Sequence, residues 1–453
     1  MDTKTIEPSI GTRSRVRRLR CLVLVDFYAL PIGTVARHIG ALREFSAHDI
    51  QVAYVRLLNS FEFDISHFDV IVFHYSIVIA KGFHIGAKLR ASLADSTSLK
   101  VLFIQDEYRW IDDTAEAMRE LGIDVLFTVV NSDVVDRIYH HPWLRHVRKE
   151  LTLTGFVDET LLDIEVPPYE ERGIDVVYRA RKVPYWLGAF AMDKWTIGKR
   201  FEQEAVGYDL TCDISSDESA RLYGADWIRF ISNAKAVLGT ESGASVCDFS
   251  GSLRICVDEA VNLNKDIDFE TIQNNFLKEA DGQIVIHVVS PRIFEAAALR
   301  TLMVNYPGEY SRCLVPWRHY VPLEKDHSNI AEVVAVIRNP EQARKIIDAA
   351  YREVACNPGY SFRAFVKHFD KVVAEEIRFD LPNTSQSILS IRNWHWLETV
   401  SWIYFYSSSA LIKARVPAIS ACGAAWPIVR IFLPPTLRER IKESLRQRGK
   451  PDK

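Results

Sequence analysis

Arg292 and Glu295 lie three residues apart in the stretch Ile284–Tyr306, IVIHVVSPRIFEAAALRTLMVNY. On a helix that spacing puts both side chains on one face, one turn from the N-terminus. A helix N-terminus presents unpaired N–H groups and partial positive charge, so a guanidinium beside it suits a diphosphate. A carboxylate one turn further on can accept hydrogen bonds from two ribose hydroxyls. Ser290 reads as the capping residue and Pro291 as the first helical residue, its φ already set. The helix then runs over Pro291–Leu299, between a buried strand at Ile284–Val289 and a second strand at Thr301–Tyr306. Ile293, Ala296, Ala297 and Leu299 face a sheet. The plainer alternative is an ordinary βαβ unit in which Arg292 and Glu295 make a solvated contact.

Other residues with chemical capacity stand at strand ends. Arg179 and Arg181 follow a strand at Ile174–Tyr178, and two guanidinium groups there are costly to bury unless they meet anions. The next helical region adds Lys194, with Lys199 and Arg200 read as a solvated face. A strand at Ala236–Gly239 leads into Thr240-Glu241-Ser242-Gly243-Ala244-Ser245. Such a small turn lets backbone N–H groups come close to a ligand, although it lacks the G-K-[ST] ending of a P-loop. His74 follows another strand and is either a satisfied core histidine or a ligand contact from across a cleft. Asp26 ends the first strand. Asp106 and Glu107 are adjacent carboxylates that can accept a proton, or that simply begin a helix where acids suit the dipole.

Asp266-Ile267-Asp268 is a D-x-D, a pair that can hold Mn or Mg against a diphosphate. It does not end an apolar strand, and Asp268 reads better as a helix start. No other acid or histidine group has ligand spacing, so no bound metal is expected.

These residues need a scaffold. Apolar runs at Cys21–Asp26, Ile50–Val55, Val70–His74, Val101–Gln105 and Val125–Val129 alternate with helical runs such as Ile85–Leu93 and Asp113–Leu121. This pattern predicts a doubly wound parallel sheet with ligands at the strands' C-terminal ends. Thr152–Asp158 reads as the last strand of this half. Glu165–Gly173 is a Pro- and acid-rich linker, and Ile174 restarts the pattern. Later helices are expected at Ile330–Val336, Glu341–Val354 and Phe362–Ala374, with a turn at Asn357–Tyr360.

The whole chain has 453 residues and a formal net charge of −3, length for two domains and an appendage. Near-neutral charge gives no argument for nucleic acid. Seven cysteines without C-x-x-C spacing indicate a reducing, cytoplasmic setting. The basic N-terminus (Arg13, Arg15, Arg17, Arg18, Arg20) precedes an apolar run too short for a signal peptide, and no stretch is long enough to span a membrane.

The blocks S-x-R-x-F-E-A-x-A at Ser290–Ala298, G-E-Y at Gly308–Tyr310 and H-Y-V-P-L at His319–Leu323 resemble the donor-nucleotide segment of group 1 (family 4-like) GT-B glycosyltransferases. The nearest branch is the spore-maturation type, which carries a block similar to Gly239–Ser245. Relatives usually place Gly where Arg300 stands, and Val288 occupies the first position of their Glu-x7-Glu pair. The resemblance implies that Arg179 or Arg181, with Lys194, grips a donor diphosphate alongside Ser242, Gly243, Ser290 and Arg292, and that Glu295 holds the ribose. Glu241 is the acid placed to stand in for the missing one, and His74 the second catalytic candidate. Asp26, Asp106 and Glu107 fall on the acceptor side.

The expected architecture is therefore α/β, GT-B, with two Rossmann-like domains facing a cleft. A basic arm spans 1–19, the acceptor-side domain 20–165, the nucleotide-sugar-binding domain 174–380 and a mainly helical extension 381–453. The implied activity moves a sugar from a nucleotide-sugar donor to a hydroxyl of a glycan or lipid-linked acceptor, without metal or further cofactor. A nucleotide-sugar epimerase of the same fold and a non-catalytic scaffold in polysaccharide assembly are the alternatives. The extension concentrates Trp394, Trp396, Trp402, Tyr404, Phe405, Tyr406 and Trp426 and ends in a basic amphipathic run. Aromatic and basic side chains together suit an anionic membrane surface, which would put the protein on the cytoplasmic face.

Overall fold

The computed structural model describes residues 17–26, 29, 33–59 and 64–377. Most of the 1–19 arm and all of the 381–453 extension lie outside the described residues. Two parallel sheets organise the rest. The first contains β1 (Arg20–Val25), β2 (Asp49–Tyr54), β3 (Val70–Phe73), β4 (Leu99–Phe103), β5 (Val125–Thr128) and β6 (Arg148–Leu151), in the order β2-β1-β3-β4-β5-β6. Cys21 to Val25 are all buried because helices cover both faces, and this is why the strand reads as an unbroken apolar run. The strand order reverses between β1 and β3, which opens a crevice at their C-terminal ends.

The second sheet contains β7 (Ile174–Arg179), β8 (Cys212–Ser215), β9 (Ala234–Gly239), β12 (Leu302–Asn305) and β13 (Val321–Pro322) in the order β13-β12-β9-β7-β8. Its reversal lies between β7 and β9, so the residues after Arg179 and after Gly239 flank the second crevice. β10 (Ser242–Ala244) and β11 (Ile286–Val288) form a separate antiparallel pair. The architecture is α/β with two Rossmann-like halves.

Several boundaries differ from expectation. The last strand of the first half is β6, just before Thr152–Asp158; its RKEL sequence is polar and only partly buried, as suits a sheet edge. The strand expected at Ile284–Val289 is short and belongs to the two-stranded ladder, because it returns antiparallel along Ser242–Ala244. Ser290 takes the extended cap conformation without a side-chain capping bond, while Pro291 does open the helix Pro291–Ala298. Arg300 has φ 51°, a left-handed turn conformation that ordinarily favours glycine. Here the turn is held by Arg300 Nη1 on Asp348 at 3.2 Å and by its guanidinium over Tyr351.

The helix Phe362–Glu376 crosses back onto the first sheet. Phe365 and Phe369, both buried, meet Phe103 at ring distances of 5.7 and 6.0 Å. Asp370 accepts from Ser46 Oγ at 2.6 Å and from Ala47 N at 2.8 Å, and Arg148 pairs with Glu375 and Glu376. Each buried phenylalanine contributes about 2–3 kcal/mol against exposure. Gly155, in the connection between the halves, lets them approach closely, since a Cβ there would sit 2.8 Å from the Pro291 side chain. Among the described residues no helix is long and apolar enough to cross a membrane.

Candidate functional site

A cavity of about 660 Å³ lies between the two halves at the strands' C-terminal ends. Its second-domain wall is cationic. Arg181 follows β7, Lys194 sits in the second turn of the helix Ala189–Ala205, and Arg292 opens the helix Pro291–Ala298. Among the described residues none of the three makes an ion pair. Arg292 donates to the Arg179 carbonyl and lies 4.8 Å over the Trp227 ring. Burial pulls the Lys194 ammonium down to about 8, and the charges of Arg292 and Arg181 push the same way. Three cations held together with no carboxylate in ion-pair contact, against the more distant opposing charge of Asp106, leave a positive potential that an anion would relieve.

Glu295 also lines the cavity and accepts from Trp227 Nε1 at 2.8 Å. Burial raises its carboxyl above the ordinary value, against the opposing indole bond and the charge of Arg292. Ser242, Gly243 and Ser290 complete this wall. Gly243 has φ 125°, and a Cβ there would collide with the Ile286 carbonyl, so the close antiparallel pairing of β10 with β11 demands glycine.

Arg179 borders the cavity, but its guanidinium is spoken for. It donates to the carbonyls of Ala220, Tyr178 and Asp213 and pairs with the Asp213 carboxylate at 2.7 Å. It thus ties β8 and the 218–220 turn to β7, and Arg181 is the guanidinium left for a ligand.

Asp106 is exposed and lines the cavity, accepting from Tyr108 Oη at 2.9 Å and from Arg109. Its neighbour Glu107 points the other way, 1% exposed, bonded to Thr128 Oγ1, Tyr139 Oη and Val129 N. Burial pushes its carboxyl up to about 7. The remaining candidates stand behind the lining. Asp26 accepts from His84 Nε2 and Arg56, each at 2.9 Å. His74 is fully buried, bonded to Ser76 and His38. Glu241 is buried on the back of the β10–β11 pair, accepting from Tyr310 N at 2.6 Å and pairing with His287 Nδ1 at 3.1 Å. It joins that strand pair to the Gly308–Tyr310 turn.

Asp268 caps the helix Phe269–Ile272 by accepting from Thr271 N at 2.8 Å, and both acids of the D-x-D are exposed. Among the described residues no group of His, Cys, Asp or Glu is arranged to hold a metal ion.

Among the lining residues that sequence reasoning missed, three stand out: Trp227, Asn305 and His38. Trp227 carries no sequence signal, because only the fold brings it over Arg292. Asn305 has a faint one, a polar residue closing the apolar strand LMVN; it is fully buried with neither amide atom partnered. His38 is the third.

No family model matches the sequence, and no curated protein matches it either. Among solved structures the chain is similar to HepE of Anabaena in complex with UDP, at 9% identity, covering 79% of this chain and 100% of that one, with a TM-score of 0.47. It is similar to an alpha-glucosyltransferase in complex with UDP-glucose and DNA containing an abasic site, at 9% identity, 79% and 99% coverage and TM-score 0.47. A third is TarM, at 10% identity and TM-score 0.38; the match covers 67% of this chain and 54% of TarM, about half its length.

Proposed function

We propose that the chain is a glycosyltransferase of the group 1, family 4-like class, moving a sugar from a nucleotide-sugar donor to a hydroxyl of a glycan or lipid-linked acceptor. The observation that carries this is the unpaired cation set Arg181, Lys194 and Arg292 in the cavity between two Rossmann-like halves, with Glu295 on the helix turn after Arg292. The cations hold the diphosphate and Glu295 the ribose. As the bond from the anomeric carbon to the phosphate oxygen breaks, the electron pair leaves with the diphosphate, and the three cations stabilise it. The acceptor oxygen bonds the anomeric carbon and its proton passes to Asp106, the exposed carboxylate of the facing wall. No step calls for a metal ion. The extension 381–453 holds the enzyme at an anionic membrane surface, where lipid-linked acceptors reside.

A catalytically silent scaffold is the second reading, favoured by the burial of His74 and Glu241 behind the cavity lining. Incubating the pure protein with UDP-, GDP-, CDP- and TDP-sugars separates the readings. Release of nucleoside diphosphate supports transfer, an isomerised sugar indicates an epimerase, and binding without either indicates a scaffold. Failure of every nucleotide to bind overturns the reading of the cavity.

A further inference from the structure

Behind the first-domain wall of the cavity runs a chain of hydrogen bonds that reaches the lining at His38, and its polarity can be worked out atom by atom. Ser76 N–H donates to His74 Nδ1 at 3.1 Å. A backbone N–H only donates, so Nδ1 of His74 is the bare, accepting nitrogen. Burial holds the fully enclosed His74 well below its ordinary pKa, hence neutral, with its one proton on Nε2. That Nε2 lies 3.2 Å from His38 Nδ1, which must accept. His38 is also kept neutral by burial, down to about 3, so its proton sits on Nε2.

His38 Nε2–H has no acceptor among the described residues, yet it is not one of their sealed, unpartnered polar atoms. His38 is 4% exposed, and it borders the cavity. Its ring is clamped by Phe365 at 4.4 Å, Tyr75 at 5.2 Å and Phe103 at 5.3 Å. A fixed ring, a fixed tautomer and an N–H bordering the cavity make a preorganised donor. Being uncharged, it suits a neutral oxygen better than a phosphate, and the cations that suit phosphate stand on the opposite wall.

We propose that His38 donates through Nε2–H to a sugar hydroxyl held in the cavity, with His74 and Ser76 as the residues that position it. This rests on the nucleotide-sugar reading and adds to it the side chain that recognises the sugar. The hydroxyl belongs to the donor's sugar or to the acceptor's, and the two sources are separable.

The test uses the full chain and His38→Phe, which keeps the aromatic clamp and removes the N–H. Calorimetry compares UDP with UDP-glucose and GDP with GDP-mannose. Saturation-transfer NMR then follows methyl α-glucoside added to the diphosphate-saturated protein. A tenfold or greater loss of affinity for the sugar ester, with the free diphosphate unchanged, supports contact with the donor sugar. Unchanged affinities with a lost glucoside signal support contact with the acceptor. Loss of neither, or equal loss for diphosphate and ester, overturns the proposal while leaving the nucleotide reading standing. If the unaltered chain binds no nucleotide, both fall. The positioning role is read separately by ¹⁵N NMR of the unaltered protein, which must show His38 protonated at Nε2 and bare at Nδ1. His74→Leu must abolish that single-tautomer signature and reproduce the loss of sugar affinity. A His38 protonated at Nδ1 refutes the relay even if every variant fails to fold.

Discussion

Lys194→Met should stabilise the ligand-free protein at neutral pH while weakening its hold on nucleoside diphosphates. The ammonium titrates at about 8 in the fold against an ordinary 10.5. That displacement corresponds to about 3 kcal/mol, and partial solvent access at the cavity wall brings the usable figure to about 1–3 kcal/mol. The sign follows from proton counts. Below pH 8 the side chain is charged in the folded and unfolded chains alike, and the cost of enclosing it beside Arg181 and Arg292 is fully present. Between 8 and 10.5 the folded chain releases its proton first, so stability rises with pH; above 10.5 the cost is gone. Methionine keeps most of the stem's packing and carries no charge. Urea denaturation of both proteins at pH 7 should place the variant about 1–3 kcal/mol above the parent, with the gap closing near pH 10.5. Calorimetry at pH 7 should show diphosphate affinity lowered about 10- to 100-fold, the worth of one charge-assisted contact. A variant less stable than the parent at pH 7, or a gap of the same size at both pH values, refutes the reasoning.

Glu295→Gln should weaken nucleotide binding about tenfold with an unchanged melting temperature; unaltered affinity in calorimetry removes Glu295 from the site. Glu107, raised to about 7 by burial, favours the fold while protonated, so its contribution is present below pH 4.5 and lost as pH rises through 7. Glu107→Gln should flatten the decline of stability between pH 4.5 and 7, and parallel denaturation curves for the two proteins would count against this. Turnover should persist in EDTA, whereas loss on chelation with recovery on adding Mn or Mg would redirect attention to Asp266 and Asp268. Truncation after residue 385 should keep nucleotide binding and abolish sedimentation with anionic liposomes; a truncated protein that still sediments rules out the tail as the anchor.

The fold was legible because parallel strands buried on both faces leave unbroken apolar runs, as at Cys21–Val25. The short pairings were not. Ser242–Ala244 and Ile286–Val288 come together only through a return of the chain that no local pattern announces, and Glu241 is buried against His287 and the Tyr310 turn as a result. The cation set could be read from Arg292 and Arg181 because charge at a strand end or helix start has few inexpensive partners. The sequence shows the same pattern at Arg179, yet Asp213 and three carbonyls occupy it, and those partners arrive from β7, β8 and the 218–220 turn. His38 escaped notice because its meaning depends on His74 and Ser76, brought beside it by the third strand. A lone histidine in GTVARHIGALREF carries no such information.

The returning helix Phe362–Glu376 also bears on how the chain is made. The first sheet is complete once Leu151 has been synthesised, yet the side chains that close over Phe103 and Phe127 arrive only with Phe365 and Phe369. At ordinary translation speeds the interval is on the order of ten to forty seconds. Through that time the nascent first half carries an open aromatic face at Phe103 and Phe127, the kind of exposed apolar surface that is prone to association. The last described helix therefore closes the first sheet late, and a ribosome that stalls before Phe362 leaves both halves without their shared clasp.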